Sequence, residues 1–258
     1  MVSEMEIHEL RVVDYMTADP ITVKPENSFQ DAVSVMANKG IGNLIVTDKD
    51  GPKGILTERE ILQYVVLNRA IPDKPVKNVL LQSFTRVTPS TTVLVAARTM
   101  ISNKARLLVF DNDRLVGIIT ASDLVRAFRK TGKNPSLEGV GTMRVFKLPY
   151  DDTVFGACKM MHEKRIGSVV VTRDESHYGI FTERDLLVKV LLKHVDLQEK
   201  LGDYCTSPLI TTLFGIHAKD AATVMSDNKI KRLPLMKEGK LVAMVTARDL
   251  VEAFQKEQ

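Results

Sequence analysis

Four segments of this chain end in one pattern. Gly54-Ile-Leu-Thr-Glu-Arg-Glu, Gly117-Ile-Ile-Thr-Ala-Ser-Asp, Gly179-Ile-Phe-Thr-Glu-Arg-Asp and Ala243-Met-Val-Thr-Ala-Arg-Asp begin 63, 62 and 64 residues apart. A fixed period of this size means one supersecondary unit used four times. Apolar residues at i, i+3, i+4 and i+7 precede each ending: Phe29, Ala32, Val33 and Met36; Val93, Ala96, Ala97 and Met100; Val154, Ala157, Cys158 and Met161; Ala218, Ala221, Ala222 and Met225. That spacing is one face of an amphipathic helix, with Asn27 and Ser90 as the expected N-caps of the first two.

Between helix and ending lie β-rich runs such as Asn43-Leu-Ile-Val-Thr, Leu107-Leu-Val-Phe and Ser168-Val-Val-Val-Thr. Polar turns such as Asp48-Lys-Asp-Gly51 follow them, so each run reads as strand, turn, strand. A second helix follows each Thr, over Ile61 to Leu67, Leu124 to Phe128, Leu186 to Leu192 and Leu250 to Phe254. Short entry strands open the units at Ile21-Thr-Val, Arg86-Val-Thr, Val145-Phe-Lys and Leu209-Ile-Thr. The expected fold is therefore α/β, four βαββα repeats over residues 10–70, 74–131, 137–195 and 199–258. A unit this small cannot cover its own sheet, so the repeats should pair. The polar stretch Arg129-Lys-Thr-Gly-Lys-Asn-Pro-Ser136 reads as the linker between two halves.

Several function classes are disfavoured. There is no run of 18 apolar residues, and the start MVSEMEIHEL lacks a basic-then-apolar leader pattern, so a cytoplasmic protein without a membrane span is expected. Cys158 and Cys205 are isolated, and His8, His162, His177, His194 and His217 show no metal spacing. No phosphate-cradling Gly-rich loop or nucleophile elbow is present, which argues against an enzyme. The net charge of +4 suits anionic ligands but does not imply nucleic acid.

The four Gly/Ala-h-x-Thr-x-x-Asp/Glu-h endings, the helix ending in Met, Asn228-Lys-Ile-Lys-Arg-Leu-Pro-Leu235, and the openings Val13-Asp-Tyr-Met-Thr-x-x-Pro20 and Leu201-Gly-Asp-Tyr-Cys-Thr-Ser-Pro208 together resemble the CBS domain, the repeat named after cystathionine β-synthase. The resemblance covers residues 10 to 255 or so. It implies two Bateman modules, each a pair of repeats with pseudo-twofold symmetry. Four repeats without an attached enzyme resemble the regulatory gamma subunit of AMP-activated protein kinase and its prokaryotic relatives. The implied function is sensing of an adenine nucleotide (AMP, ADP or ATP) at clefts between repeats, with modulation of an unidentified protein partner. No required cofactor is expected. Four repeats in one chain favour a monomer, with a homodimer as the rival.

Thr-x-x-acid at a strand-to-helix junction is first of all a capping box. The same acid can also accept ribose hydroxyls, and a helix N-terminus offers donors to phosphate. The resemblance builds each site crosswise, the Thr-x-x-acid from one repeat and the entry and first hairpin strands from its partner. The best site then joins Thr182 and Asp185 to Leu209, Ile210, Ile230, Lys231 and Arg232, the last two gripping phosphate. A second joins Thr246 and Asp249 to Val145, Phe146, Arg165, Ile166, Gly167 and Ser168. A third joins Thr120 and Asp123 to Ile21 and Thr22, with Gly42 and Asn43 opposite. The fourth, with Glu60 in place of Asp and Arg106 opposite, departs from the pattern. Two alternatives stay open: a nucleic-acid-associated protein using basic segments such as Arg126 to Lys133, or a structural pairing protein with empty clefts.

Overall fold

The computed structural model describes residues 6–70, 74–79, 81 and 83–256. Residues 1–5 and 257–258, at the two ends of the sequence read above, lie outside them. In repeat 1 a two-residue strand (β1, Thr17–Ala18) and a short entry strand (β2, Thr22–Val23) lead into α1 (Phe29–Lys39), the hairpin of β3 (Asn43–Asp48) and β4 (Gly51–Thr57), and α2 (Glu58–Asn68). Repeat 2 comprises β5 (Phe84–Val87), α3 (Val93–Ser102), β6 (Arg106–Asp111), β7 (Arg114–Ile119) and α4 (Ala121–Phe128). Repeat 3 comprises β8 (Lys147–Pro149), α5 (Val154–Glu163), β9 (Ser168–Arg173), β10 (Ser176–Thr182) and a helix, α6, that starts at Glu183–Asp185 and runs on in π register over Leu186–Leu191. Repeat 4 comprises β11 (Thr212–Leu213), α7 (Ala218–Asp227), β12 (Arg232–Lys237), β13 (Lys240–Thr246) and α8 (Ala247–Lys256).

In every repeat the first hairpin strand lies in the middle, parallel to the entry strand and antiparallel to the second hairpin strand. Such a strand is covered on both faces, which is why Leu44-Ile-Val46, Leu107-Leu-Val-Phe110 and Val169-Val-Val171 are continuous buried apolar runs. The expected α/β fold of four repeats is the observed one.

Two local expectations need correction. The N-caps are Ser28 and Thr92, whose hydroxyls accept from Asp31 N (3.0 Å) and Val95 N (3.2 Å). Asn27 instead closes a turn by accepting from Lys24 N, and Ser90 bonds the Thr88 hydroxyl. The third and fourth entry strands begin later than expected, at Lys147 and Thr212. Val145, Phe146, Leu209 and Ile210 stand just ahead of them, with the Phe146 carbonyl accepting from Val170 N at 2.9 Å.

The chain forms two compact units. One holds Met1–Pro20, Ser83–Val145 and Thr211–Gln258; the other holds Ile21–Gln82 and Phe146–Ile210. We call them the 2/4 unit and the 1/3 unit after the repeats whose bodies they contain. Their discontinuity has a local cause, since the opening of each repeat docks on the first helix of its sequence neighbour. The first helical N–H groups of Phe29, Val93, Val154 and Ala218 donate to the carbonyls of Lys74, Leu10, Glu199 and Pro135 at 2.8–3.0 Å. Each bond satisfies a donor that the helix itself leaves unpaired. The supposed linker is thus pinned. Asn134 accepts from Lys219 N and donates to Asp220, and Lys219 Nζ reaches the Thr131 carbonyl.

The openings also extend the hairpins. Thr17 and Ala18 pair with Ile118 and Gly117, Thr206 pairs with Ile180, and Thr142 pairs with Met244. This close approach explains the glycine at two of the repeated endings, Gly117 and Gly179. A Cβ on Gly117 would lie 2.5 Å from Met16 Sδ, and one on Gly179 would lie 2.6 Å from the Thr206 carbonyl oxygen.

Within the 2/4 unit α8 packs on α3 and α4, and the rings of Phe128 and Phe254 stack with centroids 5.0 Å apart. Within the 1/3 unit α2 packs on α5 and α1 on α6. Val65 and Val190 occupy there the positions that Phe128 and Phe254 hold in the other unit, five residues after the box acid. Both valines are fully buried in one apolar core.

Candidate functional site

The four Thr-x-x-acid segments all cap helices. The backbone N–H and hydroxyl of the Thr donate to one carboxylate oxygen of the acid: Thr120 to Asp123 at 2.9 and 2.7 Å, Thr182 to Asp185 at 2.9 and 2.6 Å, and Thr246 to Asp249 at 2.7 and 2.6 Å. In repeat 1 the Thr57 hydroxyl donates to Glu60. The cap consumes one oxygen, so any ligand chemistry must use the other.

The second oxygen separates the boxes. Asp123 Oδ1 accepts from Arg126 at 3.1 Å, and the same guanidinium reaches the Tyr15 carbonyl. Asp185 Oδ1 accepts from Lys189 Nζ at 2.8 Å and from the Thr206 hydroxyl at 2.7 Å. Lys189 is held further by the Cys205 carbonyl at 2.8 Å. Asp249 Oδ1 accepts no hydrogen bond among the described residues. One turn further along α8 stands Glu252, itself paired with Lys256 at 2.6 Å, and then Ala253. Asp123 and Asp185 are buried, whereas Asp249 is only half-buried.

The residues between Thr and acid separate the two units. The 1/3 unit carries Glu58-Arg59 and Glu183-Arg184, and the two dipeptides cross-pair. Arg59 meets Glu183 at 3.3 Å, and Arg184 meets Glu58 at 2.9 Å. Arg59 also donates to the Arg165 carbonyl, and Arg184 to that of Gly40, two equivalent left-handed residues at the ends of α5 and α1. The 2/4 unit has Ala121-Ser122 and Ala247-Arg248 instead. Only Arg248 crosses, donating to the carbonyls of Met100 and Ile101 at 3.1 and 3.3 Å.

Where the second pair of long side chains is missing, the 2/4 unit has a cavity of about 340 Å³. Ser122, Val125 and Arg126 of α4, with Arg129 just after it, line one side; Ala222, Met225, Ser226, Lys229, Ile230, Lys231 and Ala247 line the other. Its volume lies at the lower end of the ligand-pocket range, roughly 300–1,000 Å³. Four cations and no acid stand on an apolar floor, which favours an anionic ligand with an apolar body.

The expected site residues divide between the units. Ile21, Thr22, Phe146, Arg165, Ile166, Gly167, Ser168, Thr182, Asp185, Leu209 and Ile210 belong to the 1/3 unit. Thr120, Asp123, Val145, Ile230, Lys231, Arg232, Thr246 and Asp249 belong to the 2/4 unit. In the 2/4 unit the basic pair adjoins the box of its own repeat. The Lys231 carbonyl accepts from Ala247 N at 3.1 Å, and Arg232 is the cross-strand neighbour of Thr246. In the 1/3 unit Gly167 and Ser168 stand in the same relation to Glu183 and Thr182. The sequence reading missed Arg126, Arg129 and Lys229 as cavity cations. The signal for the first was present, since Arg126 follows Asp123 by three residues, one helical turn.

Both thiols are inert by position. Burial pushes the Cys158 thiol up to about 12 and the Cys205 thiol up to about 11. No group of three or more His, Cys, Asp or Glu among the described residues is placed to hold a metal, and no described helix is long and apolar enough to cross a membrane.

The model of the CBS domain family matches residues 12–67, 76–130, 139–191 and 201–256. The chain is 29% identical over 262 residues to the uncharacterized protein MJ1404 of Methanocaldococcus jannaschii, covering 93% of this chain and 61% of that one. It is 30% identical over 186 residues to the uncharacterized protein MJ1225 of the same organism, covering 64% of this chain and 66% of that one. The matched regions thus span less than two thirds of either relative. Among solved structures, that of MJ1225, described as a candidate archaeal homolog of g-AMPK, superposes with a TM-score of 0.78 at 18% identity, covering 95% of this chain and all of that one. An uncharacterized conserved protein from Pyrococcus horikoshii gives a TM-score of 0.65 at 21% identity, again over 95% of this chain. At these identities the likeness concerns the fold.

Proposed function

Since this chain belongs to the CBS-domain family, with four copies of the repeat, we propose that it is a non-enzymatic regulatory module that binds an adenine nucleotide and passes the binding on to a partner protein. The observation that supports this reading most is the repeat 4 box. Asp249 offers a carboxylate oxygen with no partner among the described residues, beside the Lys231–Arg232 pair and next to a cavity rimmed by four cations. Asp249 is assigned the ribose hydroxyls, and Lys231 and Arg232 the phosphate. Val145, in the same unit, is assigned the adenine, as in the family pattern. Binding acts by population shift: a ligand that prefers one arrangement of the repeats makes that arrangement dominant. The chain then works in the cytoplasm, as a monomer or homodimer.

Calorimetry on the full chain tests the proposal, with AMP, adenosine, inorganic phosphate and duplex DNA at low and moderate salt. Saturable AMP binding that survives moderate salt, with adenosine weaker, supports it. DNA binding that collapses with salt, and no AMP binding, would replace it with the nucleic-acid reading.

A further inference from the structure

A capped carboxylate has one oxygen left for a ligand, and in repeats 2 and 3 the chain itself uses that oxygen. Arg126 lies three residues after Asp123 and Lys189 four after Asp185. Both spacings put the cation on the helix face of the acid. Each cation also clasps a backbone carbonyl of a neighbouring repeat's opening segment, Tyr15 for Arg126 and Cys205 for Lys189. At Asp185 the Thr206 hydroxyl is a further occupant, so both oxygens of this buried carboxylate are fully engaged. A ribose diol needs the same oxygen as an acceptor. It therefore competes with an ammonium and a hydroxyl that are already in place and cost no association entropy.

We propose that the residue one turn after the acid decides which boxes are open to a nucleoside. Arg126 and Lys189, the latter helped by Thr206, are internal occupants that close the boxes of repeats 2 and 3. Glu252 keeps the box of repeat 4 open. The inference rests on the nucleotide reading above and adds to it a rule for which of the three Asp boxes is used. A second feature sets the closed repeat 3 box apart. Its helix leaves the α register right after Asp185 and continues with π-type bonding over Leu186–Leu191, whereas the second helices of the other repeats are α-helical. A π segment is a departure often found where a helix serves a site. Here it carries Lys189.

The rule can be tested in both directions by calorimetry with AMP and adenosine on the full chain. Glu252→Arg copies the Arg126 arrangement onto Asp249 at a half-buried position, giving up only the Glu252–Lys256 pair on the same helix. The added positive charge by itself would tighten an anionic nucleotide, so a loss is diagnostic. The expected result is an AMP affinity weaker by about tenfold or more, as for loss of a charged hydrogen-bond partner, with unchanged thermal melting. Lys189→Gln, alone and with Thr206→Val, should add a second adenosine site that Asp185→Ala removes again. Wild-type AMP affinity in Glu252→Arg overturns the rule, as does an unchanged stoichiometry in a folded Lys189→Gln chain. If the wild-type chain binds no adenosine ligand, the repeat 4 assignment falls. The Lys189 variants still decide the rule in that case: binding gained on their unlocking supports it, and none in either chain removes both.

Discussion

The two units hold a pair of repeats together by different means. In the 1/3 unit, Glu58-Arg59 and Glu183-Arg184 cross-pair at the helix starts, and Val65 and Val190 fill the positions further along. In the 2/4 unit, Phe128 and Phe254 stack at those later positions, and the helix starts carry Ala121-Ser122 and Ala247-Arg248. The bulk has moved from one end of the contact to the other. Where long charged pairs meet, the helix starts are braced. Where small residues meet, a basic cavity is left. One scaffold thus yields a braced unit and an open unit through the two residues between Thr and acid.

The largest effect should come from the aromatic contact. Phe254→Ala is expected to cost about 3–5 kcal/mol in chemical denaturation, because it removes a buried ring and leaves a cavity. Val190→Ala, at the matching place in the 1/3 unit, should cost about 2 kcal/mol. Equal losses would break the comparison, since both units would then depend on the same position.

The ion pairs come next. Arg184→Ala leaves Glu58, with a side chain only 13% exposed, without its cation. Partial exposure of the arginine reduces the usual penalty for breaking a buried pair to about 2 kcal/mol. Arg248→Ala, which loses two carbonyl contacts and strands no charge, should cost about 1 kcal/mol. Urea titration of both variants, with Arg184→Leu plus Glu58→Leu as a third, checks the reasoning. The double replacement should be milder than Arg184→Ala alone. If it is worse, the pair contributes more than the desolvation argument allows.

The smallest effect concerns the thiols. Burial raises both above their ordinary value of 9.0, so the neutral form is the one that folding favours. Their contribution to stability is complete below pH 9 and is lost as pH rises towards 11 and 12. At pH 8 the folded chain should resist alkylation at Cys158 and Cys205, and the urea-unfolded chain should react at both. Rapid labelling of the folded chain at pH 8 would contradict the burial.

Much of this was legible in the sequence. The period, the hairpins and the Thr-x-x-acid caps follow from residue pattern, because each depends on contacts within one repeat. The cap positions shifted by one or two residues, since the side chains of Asn27 and Ser90 are engaged in turns ahead of the helices, whereas the hydroxyls of Ser28 and Thr92 meet the helical N–H groups of Asp31 and Val95. The linker reading of Arg129 to Ser136 missed that a polar stretch can be fixed by its backbone carbonyls, as Asn134 and Pro135 are on α7. Which repeats share a helix contact was encoded after all. Glu-Arg recurs at matching places only in repeats 1 and 3, Phe only in repeats 2 and 4. The occupant of each acid's second oxygen was legible only in part: the spacing that places Arg126 and Lys189, and an acid at Glu252, stands in the sequence, but Thr206 and the Tyr15 and Cys205 carbonyls come from a neighbouring repeat.

The most direct measurement is an AMP titration of two single variants side by side, Asp249→Ala and Asp185→Ala. The account predicts that Asp249→Ala loses about ten- to a hundredfold in affinity. It predicts that Asp185→Ala binds AMP like the wild-type chain, its carboxylate being already taken by Lys189 and Thr206. The reverse result, with binding lost in Asp185→Ala and kept in Asp249→Ala, would contradict it.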